Sequence, residues 1–260
     1  MDEYSGAAAG YSLRRLSSTY TGSAIKVQDN VGGATLDVGF DSYGELDTSA
    51  IVAYGGSNDV FVETWYDQSG NSNNAVQATS SSRPKIYDGA TGAVVMENGK
   101  PAVKFDGVND ALNSTSNVSM PLNNTIAIVA QGTSTTTDEV FNINGTAGVN
   151  IRIQQGQYKL LYSDLDQSFI ASATNNQFLV FAGRQSSSDT VYGSIDGGAQ
   201  LADTSYPSSS WNTATAKIHI GARGGTSLQW DGKVQEVIYY ESDELTNRTG
   251  IEENIGGYYD

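Results

Sequence analysis

The stretch "TWYDQSGN" (residues 64–71) sets two aromatic rings, Trp65 and Tyr66, directly before a carboxylate, Asp67. Rings beside a carboxylate suit a site that handles sugars. The run continues "SNNAVQ", so Asp67, Gln68, Asn71, Asn73 and Asn74 crowd oxygen donors into eight positions. Such density could hold a hard cation such as Ca²⁺, with Asp67, Asn71 and Asn73 as its ligands. The spacing is not that of a regular calcium loop. The competing reading is an Asx-rich turn whose side chains satisfy its own backbone. Asp67 and Asn71 are also candidate ligand-binding residues.

Two more aromatics, Tyr206 and Trp211, lie in "SYPSSSWNT", where neither a strand nor a helix pattern requires them. A loop tryptophan invites a functional reading. Its ring could stack on the C–H face of a sugar, or fold back onto the core. Glycoside hydrolysis needs two carboxyl groups facing each other about 5–10 Å apart. Asp67, Asp106, Asp110, Glu139, Asp196, Asp231 and Glu236 are available, and spacing in sequence pairs none of them. His219, the one histidine, sits in "AKIHIGA" on the strand face opposite Ile218 and Ile220, and reads as a strand-face residue without a chemical role.

Sheet elements must position these residues. Between positions 124 and 240, "NTIAIVAQ", "DEVFNI", "VNIRIQQ", "QYKLLYS", "QFLVFAGR", "TVYGSIDG", "AKIHIGA" and "KVQEVIYYE" alternate with period 2 and are rich in Ile, Val, Tyr and Phe. "IDGG" and "QQGQ" read as compact hairpins. The aromatic–Asp–Gly steps in "FDGVNDAL" and "QWDGKVQEV" read as tight turns. The pattern predicts one all-β antiparallel sandwich over 1–260, with residues 1–10 an extended arm. Two short peripheral helices are expected. Residues 46–55 have Asp47 or Thr48 as cap, and residues 246–257 are capped by Thr246 and ended by Gly256–Gly257. "YSLRRL" suggests a further short turn.

Composition narrows the function. The chain has 260 residues and a formal net charge of −15, with 14 Lys and Arg against 29 Asp and Glu. That leaves no basic footprint for nucleic acid or for an anionic membrane surface. No stretch is long and apolar enough to span a bilayer. With no cysteine, disulfides, thiolate metal sites and thiol nucleophiles are excluded. The opening "MDEYSGAAAGYSL" has no basic segment and no apolar run, so no signal peptide is expected.

Four segments, "YSLRRLSSTYTGSAIKV", "LDTSAIVAY", "TWYDQSGNSNNAVQ" and "ENGKPAVKFDG", resemble the amino-terminal half of the α-L-arabinofuranosidase B catalytic domain. The second half, ending "WDGKVQEVIYYESDEL…IEENIGGYY", resembles concanavalin A-like jelly rolls of phage tail fibres and carbohydrate-binding modules. The likeness implies a jelly roll in which "YDQSGN" belongs to the scaffold. It also implies a nucleophilic glutamate in the counterpart of "NIRIQQGQYKLL" and an acid/base aspartate in the counterpart of "GARGGTSLQW". Both stretches lack a carboxylate here. Gln154, Gln155 and Gln157 occupy the first, and an amide neither attacks an anomeric carbon nor gives up a proton as a carboxylic acid does. The expectation is a non-catalytic, homo-oligomeric adhesion module on a virion or otherwise outside the cell. It would meet host glycans and other virion proteins without inserting in a membrane. An arabinofuranosidase-type hydrolase with relocated carboxylates and a purely structural virion protein are the alternatives.

Overall fold

The computed structural model of the chain describes residues 1–132, 137–143, 148–154, 157–162, 171–172, 178–205 and 207–259, without the side chains of 153–177. It is an antiparallel β-sandwich. One layer is centred on Asp231–Tyr240, paired along its length with Asn124–Gly132. Asn124–Gly132 pairs in turn with Phe178–Gln185, and that strand with Thr190–Ile195. On its other side Asp231–Tyr240 holds Ala7–Ser12 and Val103–Asp106 end to end. The second layer runs Gln157–Tyr162, Val149–Gln154, Asp138–Ile143, Ile218–Ile220 and Leu112–Ser114, then Ala75–Val76, Val60–Trp65 and Ile25–Asp29.

The layers meet through facing apolar residues: Ile126, Ile128 and Tyr239 from one, Phe141, Ile143, Ile218 and Ile220 from the other. Phe141 and Tyr239 lie 6.2 Å apart across the interface. The outer face of the first layer is not left to water. Ala127, Val129, Phe181 and Ile238 pack under the carboxy-terminal helix through Ile251, Ile255 and Tyr259. Both faces of Asn124–Gly132 are therefore covered, and all nine of its residues are buried.

All eight period-2 runs between 124 and 240 contain a strand. Helix α1 is Thr48–Gly55, with the Asp47 carboxylate accepting the Ala50 N–H at 3.0 Å. Helix α2 is Arg248–Tyr259, preceded by a 3₁₀ turn over Leu245–Asn247. Gly256–Gly257 do not end it, because Tyr259 is drawn into the core and carries the helix past them. The arm expected at 1–10 is corrected. Residues 7–10 belong to a sheet strand, Met1 donates to the Leu16 carbonyl at 2.5 Å, and Tyr240 donates its hydroxyl to the Tyr4 carbonyl at 3.1 Å. "YSLRRL" is likewise strand at Tyr11–Ser12, since the Tyr11 ring is buried against Trp65.

Only the first aromatic–Asp–Gly step is a turn. Gly107 takes a left-handed φ of 73°, and Asp106 Oδ1 accepts the N–H groups of Val108, Asn109 and Asp110. Gly232 instead lies within a strand, where a Cβ would collide with the Gln131 carbonyl. In the turn, Asp110 is buried, and desolvation followed by the Asp106 charge pushes its carboxyl up to about 7. A carboxyl raised in the folded state favours folding most below its unfolded value near 3.8, and that advantage is lost as pH rises through 7. Asp110→Asn keeps an acceptor for the Asp106 N–H and removes the charge. It is expected to stabilise the protein by about 1–2 kcal/mol at pH 8 and to change little at pH 4. Urea melts of both proteins at the two pH values check this, and an equal shift at both refutes it.

Candidate functional site

The two stretches that the family likeness makes catalytic converge on one face of the second layer. Asn113 lies opposite His219, His219 opposite Asn142, and Asn142 opposite Asn150. Directly opposed residues share a sheet face, so these four form a polar row across four strands, facing away from the apolar core. The row is internally bonded. His219 Nδ1 meets Asn113 Oδ1 at 2.6 Å, and Asn142 Nδ2 donates to Asn150 Oδ1. Burial, with Lys217 adding to it, lowers the His219 pKa, so the ring stays neutral in this row.

Glu139 reaches the same face by an irregularity. Three positions separate it from Asn142, which in a regular strand would place them on opposite faces. The register shifts between Glu139 and Phe141, and this extra residue, Val140, brings both outward. Glu139 is fully buried opposite Arg152. Its Oε1 accepts from Arg223 Nε at 2.8 Å and from Arg223 Nη2, with Arg152 Nη1 at 3.9 Å. Its Oε2 is buried without a hydrogen-bond partner. Burial raises the Glu139 pKa, and the two guanidinium groups oppose that shift. Arg152 comes from "NIRIQQGQYKLL" and Arg223 from "GARGGTSLQW". Each stretch thus brings an arginine to Glu139.

The 221–230 loop is fastened over this face. Gly224 N–H donates to Asn142 Oδ1 at 3.1 Å, and Glu139 N–H donates to the Leu228 carbonyl at 2.9 Å. Gly225 lies so close to Asn113 that a Cβ would strike its amide oxygen. Leu228 takes a left-handed φ of 48°, a strained conformation for a leucine. The side chains of Gln154, Gln155 and Gln157 lie outside the described residues.

The "YDQSGN" segment is a clamp. Asp67 Oδ1 accepts the N–H groups of Gly10 at 2.8 Å and Ser69 at 2.9 Å, and Oδ2 accepts the Ser69 hydroxyl at 2.7 Å and the Asn73 N–H at 2.9 Å. Gln68 is buried, accepting from Leu16 N–H and donating to the carbonyls of Ser12 and Arg14. Asn71 and Asn73 donate their amides to the carbonyl of Ala8, and Asn71 also to that of Ala7. The expected cation cage at Asp67, Asn71 and Asn73 is therefore corrected to an Asx turn that staples the first strand. Four donors already take the carboxylate, and the amides turn to backbone. Among the described residues, no cluster of three or more His, Cys, Asp or Glu is placed to hold a metal. Asn71 is exposed and lines a shallow groove of about 470 Å³ with Ala7, Ser69 and Asn117.

Trp211 is corrected from a loop platform to a core residue. It is 5 % exposed, and the Arg184 guanidinium lies 5.5 Å from its ring centroid. A 3₁₀ turn over Ser208–Ser210 directs it inward, with Trp211 N–H donating to the Ser208 carbonyl at 3.0 Å. Tyr206 lies outside the described residues. Sequence reasoning named Glu139 but missed Arg152, Arg223 and the Asn–His–Asn–Asn row. The available signal was polar residues at outward positions of otherwise apolar strands, as in "FNI", "VNIRI" and "IHI".

No protein-family model and no curated protein matches the chain. Solved structures do. A GH54 α-L-arabinofuranosidase soaked with a cyclic sulfate inhibitor superposes with a TM-score of 0.72 at 18 % identity, over 96 % of this chain and 62 % of that one. An arabinofuranosidase complexed with arabinofuranosyl-α-1,2-xylobiose gives 0.71, also at 18 % identity, with the same coverage of both chains. A Trypanosoma rangeli sialidase in complex with a difluoro-nononic acid gives 0.51 at 14 % identity, over 74 % of this chain and 31 % of that one. The chain thus spans less than two thirds of the arabinofuranosidases it matches, and with them it shares the β-sandwich fold.

Proposed function

We propose that the chain is a non-catalytic carbohydrate-binding module that serves adhesion, carried in several copies on a phage virion as a tail-fibre or capsid-decoration protein that contacts host glycans. One observation carries the non-catalytic part. Where the family likeness puts a nucleophile and an acid/base, two arginines close on the Glu139 carboxylate. Retaining hydrolysis needs one carboxylate free to attack and a second to protonate the leaving group. The polar row beside it adds amides and an imidazole but no carboxylate. The virion placement rests on the sequence likeness to tail-fibre modules. Weak single sites in several copies would supply useful adhesion through avidity.

The hydrolase reading has one observation in its favour, the unbonded Oε2 of a Glu139 whose carboxyl is raised by burial. One experiment separates the two. Purified protein is incubated with 4-nitrophenyl α-L-arabinofuranoside and with arabinofuranosyl-xylobiose, and screened in parallel on a glycan array. Retention of glycans without turnover is expected. Turnover that survives repurification and disappears in Glu139→Gln would establish the hydrolase instead.

A further inference from the structure

A second polar row runs across Ile25–Asp29, Val60–Trp65, Lys85–Asp88, Val103–Asp106 and Asp231–Tyr240. Gln28 lies opposite Phe61, Phe61 opposite Lys85, Lys85 opposite Lys104, and Lys104 opposite Lys233. Like charges directly opposed across strands are destabilising. The two outer lysines are relieved, Lys85 by Asp59 and Lys233 by Glu97, each at 2.7 Å. Lys104, between them, is exposed and makes no hydrogen bond or ion pair among the described residues. The residues around it form a groove of about 560 Å³ that holds Phe61, Lys104, Asn30, Ser80, Asp106 and Asp110. Phe61 is half-buried and points outward, since Val60 and Val62 on either side of it face the core.

We propose that this groove binds a neutral oligosaccharide of at least two units, one sugar ring stacked on Phe61 and the next held through its hydroxyls by Lys104 and Asp106. The inference rests on the carbohydrate-binding reading above and gives it a site. Phe61 supplies the one aromatic ring of the groove, with Lys85 Nζ 5.8 Å from its centroid, so a stacked sugar would displace that side chain or take the ring's other face. Lys104 and Asp106 project from the same side of one strand about 7 Å apart. They offer a free donor and a free acceptor, because Asp106 uses only Oδ1 in its turn. Phe61 and Lys104 lie two strands apart, about 10 Å, the span of a disaccharide rather than of a single ring. An acidic sugar is disfavoured. Arg83 and Lys85 also line the groove but are already paired with Glu63 and Asp59, which leaves Lys104 against Asp29, Asp106 and Asp110, and the whole chain carries a charge of −15.

The test is titration of the wild-type protein with arabino-, xylo-, manno- and cello-oligosaccharides, and with oligogalacturonate as the acidic comparison. Binding of at least one neutral series is expected. Phe61→Ala should weaken it about tenfold, Lys104→Ala several-fold, and Phe61→Trp should retain it. Both positions face the groove rather than the core, so thermal melts should stay close to wild type. If neutral oligosaccharides bind and neither Phe61→Ala nor Lys104→Ala alters affinity, the groove assignment falls while carbohydrate binding stands. If oligogalacturonate alone binds, the ligand class is wrong. If the wild-type protein binds none of the panel, both the groove and the reading it rests on are overturned.

Discussion

Glu236→Ala is expected to destabilise the protein by about 3–5 kcal/mol, the loss typical of removing one partner from a buried ion pair. Glu236 lies mid-strand in Asp231–Tyr240 and is fully buried. Arg14 grips it with two bonds, Nε to Oε2 at 2.8 Å and Nη2 to Oε1 at 3.0 Å. Ser12 Oγ donates to Oε2 at 2.8 Å, and the Tyr259 hydroxyl reaches it at 3.2 Å. Arg14 is itself packed, 4.9 Å from the Tyr258 ring centroid and bonded to Asn254. One carboxylate therefore ties the first strand, the central strand and helix α2 together. Alanine would leave the Arg14 charge largely buried and without its partner, and the Ser12 hydroxyl without its acceptor. Glu236→Gln, which keeps the shape and one acceptor oxygen, should cost less, about 1–2 kcal/mol. Urea denaturation of the three proteins tests this. A loss under about 1 kcal/mol in the alanine variant would mean that the network relaxes into water, as surface pairs do.

How much of this was legible depends on where the stabilisation resides. The strands from 124 to 240 announce themselves because their own Ile, Val, Phe and Tyr side chains are buried, in the central strands on both faces. The first third is different. "AAAGYS" carries no alternation, and its strand is fixed by groups far along the chain: Asp67 bonds Gly10, 57 positions away, and Glu236 bonds Ser12, 224 positions away. Local propensity cannot report such contacts. The carboxy-terminal glycines misled for a related reason, since burial of Tyr259 outweighs their helix-ending tendency. At the candidate site, Glu139 was visible as a carboxylate. Its partner Arg223 stands 84 positions away, and the bulge at Val140 that turns Glu139 outward leaves no mark in the sequence. The "YDQSGN" clamp was legible as an Asx-rich turn, and the competing cation reading failed because one carboxylate was already spent on four donors.

Trp211→Ala is expected to lose about 3–5 kcal/mol of stability, the range for deleting a large aromatic from a core. A binding platform would behave in the opposite way, keeping its fold and losing its ligand. The loop composition "SYPSSSWNT" suggested the platform, but the ring is packed into the main core cluster beneath Arg184. Arg184 is also fully buried, and its Nη2 donates to the carbonyls of Pro121 and Asn212. Removing the indole would open a cavity and strip the guanidinium of its ring contact. Trp211→Phe separates packing from polarity. The indole Nε1 is buried without a hydrogen-bond partner, so phenylalanine sacrifices no bond and removes an unsatisfied donor. Its cost should be limited to the lost volume, about 1–2 kcal/mol. The order wild type, Trp211→Phe, Trp211→Ala in urea midpoint is the expected result. An alanine variant that melts with the wild type and binds glycans more weakly would restore Trp211 to the surface and to the binding site.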